Sequence, residues 1–95
     1  EGVSKDYKEA LRWFQLSAAQ GYASAQHNLG VMYAMGQSVT QDDIQAYMWL
    51  SLAALQLKNR DYEVFVATRD AVSKAMTSEQ IERAEKLIRE WKPKQ

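Results

Sequence analysis

Ninety-five residues are enough for one small domain and too few for two independent cores. Twelve Lys and Arg offset twelve Asp and Glu, so the balance of charge calls for neither nucleic acid nor an anionic membrane as partner. The absence of cysteine excludes disulfides, thiol nucleophiles and cysteine-ligated zinc, and no apolar run is long enough to insert into a bilayer.

The chain opens Glu1-Gly2-Val3-Ser4-Lys5, which does not read as a signal peptide. Without an initiating Met it is expected to be a processed chain or a fragment. Its compartment stays open between cytoplasm and a bacterial periplasmic or secreted location.

The first predicted helix runs from Ser4 or Lys5 to Ala19, capped by Ser4. Tyr7, Ala10, Leu11, Phe14, Ser17 and Ala18 recur at spacings of three and four on one broad face. Gly21 suits a left-handed position after the helix end. A second helix follows over 22–35, with Ala25, Leu29, Met32 and Tyr33 inward and Gly36 as its stop. Gly30 in its interior costs ~1 kcal/mol relative to Ala, which a close approach of helix backbones would explain. Thr40-Gln-Asp-Asp43 has the spacing of a capping box, with Val39 and Ile44 as a hydrophobic staple, and starts a third helix over 41–57. After a polar turn at 58–61, a fourth helix over 62–75 carries Phe65, Thr68, Val72 and Met76 on one stripe. Thr77-Ser-Glu-Gln80 is a full capping box, and the helix it opens ends near Trp91, before Pro93. That fifth helix is apolar along Ile81, Ala84, Leu87, Ile88 and Trp91. Opposite lie Glu79/Arg83, Glu82/Lys86 and Glu85/Arg89, acid-first pairs suited to a solvated face.

The chain repeats itself at a spacing of ~36 residues, in the range of helical arrays. Ala10, Trp13, Leu16, Ala18 and Gln20 fall on Ala46, Trp49, Leu52, Ala54 and Gln56. The repetition predicts an all-α fold, an alpha-alpha superhelix (solenoid) of two antiparallel helix pairs plus a C-terminal capping helix. Residues 1–95 form a single helical repeat domain: repeat one about 4–38, a degenerate repeat two about 39–76, and a capping helix about 78–92. Lys8, Arg12 and Ala19 become Ile44, Met48 and Leu55 in the second unit, an apolar face for which the fifth helix is the expected cover; packing on the fourth helix is the alternative. Trp13 and Trp49, repeating among apolar neighbours, read as inter-helix packing, and Trp91 less firmly so.

The residues Ala10/Trp13, Ala18-Ala19-Gln20-Gly21, Ala25/Leu29-Gly30/Tyr33, and Gly36 with Val39 and Asp42 resemble the signature of the Sel-one-like repeat (SLR) family, relatives of the tetratricopeptide repeats. The resemblance is strong over 1–57 and weaker over 58–95, which look like the degenerate last repeat and terminal helix of a bacterial member. The opening residues look like the tail of a preceding unit's loop. The resemblance implies a scaffold that holds protein or peptide partners. It also carries a link, through some relatives, to beta-lactam hydrolysis or binding.

The residues give little to an enzyme. His27 is the only histidine and has no carboxylate four residues away; it reads as exposed or structural. Ser17 and Ser51 have no Ser-x-x-Lys pattern beside them, and Gly21, Gly30 and Gly36 form no phosphate loop. Asp42 and Asp43 suit a helix N-terminus better than a catalytic pair. No catalytic, cofactor or metal residue is assigned. The partner surface is expected on the first helix of each pair, at Lys8, Arg12, Gln15, Gln45, Met48 and Ser51, with Glu9 beside them and a monomer presenting them. The competing readings are a purely structural cap of the array, and a hydrolase.

Overall fold

The computed structural model describes residues 2–58 and 60–94, with side chains from Lys8 onward. Five helices follow one another: α1 (Gly2–Ala19), α2 (Ala23–Met35), α3 (Asp43–Leu55), α4 (Arg60–Ser73) and α5 (Ser78–Glu90). α1 packs on α2, α2 on α3 and α3 on α4, and α5 turns back onto α3. This is the all-α, helix-pair packing of a solenoid.

Loop chemistry sets the pairing. Gly21 and Gly36 both take left-handed backbone, φ 104° and 70°. At the end of α1 the Tyr22 N–H donates to the Ser17 carbonyl at 3.2 Å and the Gly21 N–H to that of Ala18 at 3.0 Å. Those two bonds satisfy helix-end carbonyls and turn the chain back on itself. α2 ends the same way, the Gln37 N–H donating to the Met32 carbonyl at 3.0 Å.

α3 is the centre of the molecule. It is flanked by α2, α4 and α5, and Ala46, Met48, Leu50, Ser51, Leu52, Ala53 and Ala54 are all buried. A helix covered on several sides is apolar nearly all round. At Gly30 a Cβ would come within 2.7 Å of the Leu50 Cγ and 3.1 Å of the Ala46 carbonyl oxygen, so the backbone approach expected of that glycine is present. Beside it lies Gln26, fully buried. Its amide donates to the Ala18 carbonyl at 3.1 Å and accepts from Gln56 Nε2 at 2.8 Å. One side chain thus joins the C-terminal ends of α1 and α3, with both ends of its amide satisfied.

Several expectations need correction. α1 begins at Gly2, ahead of Ser4, and the side chain of Ser4 lies outside the described residues, as does that of Tyr7. α3 begins at Asp43, and its cap is Asp42, whose carboxylate accepts from the Gln45 N–H at 3.0 Å. Asp is at least as good a cap as Thr, and the Asp42 N–H is already held by the Tyr33 carbonyl, so the start moves two residues past Thr40. The Val39/Ile44 staple falls out of register with it. α4 starts at Arg60, inside the expected polar turn, where neither Gly nor Pro opposes a helix. The Thr77 capping box is present, the Gln80 N–H donating to Thr77 Oγ1 at 3.1 Å and the Thr77 N–H to Gln80 Oε1 at 2.9 Å. α5 covers α3 and Met48 is buried, yet Leu55 is 71% exposed, because it closes the last turn of α3 beyond that cover.

The two tryptophans part company. Trp49 packs on the cluster of Ala18, Ala25 and Leu29, and meets Trp91 edge-on at 6.2 Å between centroids. Trp13 is 70% exposed. Equivalent positions differ because α3 lies among three helices, whereas α1 packs chiefly on α2.

Candidate functional site

Lys8, Arg12, Gln15 and Ala19 stand four, three and four residues apart, so they share one stripe of α1. Lys8, Arg12 and Gln15 are exposed. Beside the stripe, Trp13 and Leu16 are exposed at 70% and 56%. Large apolar side chains three apart on an open helix face form a contact surface in a way that scattered ones do not.

Of the other expected contact residues, Gln45 is half-buried on α3. Met48 and Ser51 are each 6% exposed. Flanked by three helices, α3 has no open face to offer at those two positions, and both are packing residues instead of contact residues.

The chain's end completes the surface. After α5, Trp91 takes an extended backbone, φ −71° and ψ 139°. Trp91 and Pro93 then pass the α1–α2 corner, where a Cβ at Gly21 would lie 3.8 Å from the Trp91 ring and 3.7 Å from Pro93 Cβ. The Lys94 N–H donates to the Ala19 carbonyl at 2.7 Å. Arg12, Gln15, Leu16, Ala19, Gln20 and Lys94 line an open groove of about 440 Å³. Sequence reasoning missed Leu16, Gln20 and Lys94. The first two follow from the stripe by helical spacing, but nothing local announces that a tail beyond Pro93 returns to α1.

His27 is held as a packing residue. Its ring stacks on Phe65 of α4 at 4.0 Å between centroids and 18° between planes. Its Nε2 is buried without a hydrogen-bond partner, and desolvation holds the imidazole below its ordinary value of 6.5. The unfolded chain therefore takes up this proton more readily than the folded one. His27's contribution to stability is full above about pH 6.5 and declines as the pH falls from there through the lowered folded-state value. Urea midpoints at several pH values between 7.5 and 5 should fall less for His27→Phe than for the parent. Parallel declines would clear His27 of the effect.

Chemistry at Ser51 finds no support, since its Oγ is buried without a hydrogen-bond partner and no base is seated on it. Among the described residues no group of three or more His, Asp or Glu is placed to hold a metal, and no helix is long and apolar enough to cross a membrane.

Helices pairing in sequence around a shared core, with the same small-residue positions recurring along the chain, define a helical repeat protein. Residues 1–22 and 23–56 match the Sel1 repeat, and the chain belongs to the Sel1 repeat family. Repeats of this fold generally serve protein–protein interaction and scaffolding. No curated protein and no solved structure matches the chain.

Proposed function

We propose that this chain is a non-catalytic interaction module, part of a longer Sel1-repeat protein, and that it meets its partner with the exposed side of α1. The observation that carries this reading is the open stripe of Lys8, Arg12 and Gln15 beside the exposed pair Trp13 and Leu16. Aromatic and arginine side chains together are what protein interfaces draw on most for affinity. Gln45, half-buried on α3, and Met48 and Ser51, both buried there, are left out of the proposed surface. The test is capture of a protein by the immobilised chain, repeated with Arg12→Glu. Capture by the parent and its loss in the variant is expected. Undiminished capture by the variant would remove the α1 face, and no capture by either would remove the module.

A second reading is favoured by the seat of α5 on α3. In it, residues 60–90 are the closing part of the array, and α5 seals the end of the stack, as the ends of helical arrays require. The strongly two-sided character of α5, with Ala84 buried and Glu79, Glu82, Arg83, Glu85, Lys86 and Arg89 exposed, supports it. So does the weaker repeat character of residues 58–95, which also underlies the placement within a bacterial type of array. The division into repeats at about 4–38 and 39–76 belongs to this same proposal.

A further inference from the structure

The groove between α1 and the C-terminal segment has a definite chemistry. Arg12 and Lys94 both line it, and Lys8 lies one helical turn from Arg12. None of these three cations forms an ion pair with another described residue. Glu9, the described carboxylate next to the stripe on α1, leaves Arg12 unpaired although it is three residues away. The acidic side chains of α5 sit on its solvent face. In a chain with no net formal charge, positive charge is therefore gathered on one rim with no ion-pairing carboxylate among the described residues. The floor supplies apolar surface from Leu16 and Ala19 and amides from Gln15 and Gln20. A volume of about 440 Å³ is in the range of sites that take specific ligands, ~300–1,000 Å³.

The form of the ligand is indicated by the chain itself. Trp91 leaves α5 in extended conformation, and the Lys94 N–H donates to the free carbonyl of Ala19 at the end of α1. An extended backbone thus already lies against this end of α1 and hydrogen-bonds to it. The groove continues from Lys94 along α1 toward Arg12.

We infer that this groove docks an extended acidic peptide, with an apolar side chain over Leu16 and Ala19 and an adjoining carboxylate between Arg12 and Lys94. The inference rests on the reading of the chain as an interaction module and specifies its ligand. Unpaired cations on the rim steer an acidic segment and set its register, while the apolar floor rewards one neighbouring large side chain. Basic segments are repelled by the same rim.

Selection of random dodecapeptides displayed on phage against the whole chain tests this. The enriched sequences should carry Asp or Glu within two positions of Leu, Ile or Phe. The best of them, made as a fluorescein-labelled peptide, should bind with an affinity that falls as salt is raised from roughly 50 to 300 mM. The double variant Arg12→Glu/Lys94→Glu should weaken it by about tenfold or more, whereas Lys86→Glu on the solvent face of α5 should leave it unchanged. Circular dichroism should show both variants as helical as the parent, since the exchanged side chains are exposed. Enrichment of basic or wholly apolar peptides, enrichment of none, or full binding by the double variant would overturn the inference. A chain that captures a protein yet selects no acidic peptide keeps its role as an interaction module and loses this ligand. A chain that does neither loses both.

Discussion

Gly30→Val is expected to destabilise the fold by about 3 kcal/mol, an appreciable part of the ~5–15 kcal/mol available to a domain of this size. The first added carbon would lie 2.7 Å from Leu50 Cγ, and Leu50 is fully buried. The atom it meets is the branch point of a packed side chain and not a free end. On the other side is the Ala46 carbonyl oxygen at 3.1 Å, fixed in α3. α2 and α3 must therefore move apart, loosening Leu29 and Ala25 against their neighbours. Gly30→Ala should be milder, because a gain in helix propensity of ~1 kcal/mol offsets part of an overpacking cost of about 1–3 kcal/mol. Urea unfolding of both variants gives the numbers. Leu50→Ala costs ~2–5 kcal/mol alone, yet joined to Gly30→Ala it should cost less than the two summed, since one change vacates the space the other fills. A parent-like midpoint for Gly30→Val would refute the close approach.

The second large effect is expected on ending the chain at Met76. The loss removes α5 and the extended segment after it, leaving Trp49 without Trp91 and opening the side of α3 that α5 covers. Exposed apolar surface of this kind drives self-association. Helicity by circular dichroism should fall by more than the 13 residues of α5, because α3 loses cover and α4, which has no fully buried residue of its own, leans chiefly on α3. Size-exclusion chromatography should show oligomers or aggregate. A truncated chain that stays monomeric and as stable as the parent would refute the sealing role of α5.

Much of the fold was legible because its signals are local or periodic. Gly21 and Gly36 sit where helices must turn, Thr77 and Gln80 cap reciprocally, and Ala, Leu and Trp recur at one spacing. What escaped depends on partners distant in sequence. Trp13 and Trp49 occupy equivalent positions, and only the flanking helices decide which is covered. Gln26 carries no local sign of burial, because Ala18 and Gln56, the groups that satisfy it, stand eight and thirty residues away. The α1 half of the candidate site followed from helical spacing. Met48 and Ser51 were misplaced because an equivalent position on a helix inside the stack is not an equivalent surface. Lys94 was missed because a short tail after a proline carries no signal of where it docks.

The bond from Lys94 to Ala19 changes the kind of object this array is. Open helical repeats behave as linear chains of coupled units, each end free to fray without notice at the other. Here residues 91–94 reach past α3 to the corner of α1 and α2, so the last segment and the first turn hold one another. The topology is that of a clasp: the segment after α5 and the α1–α2 corner are held by the same contacts, so loosening either one frees the other.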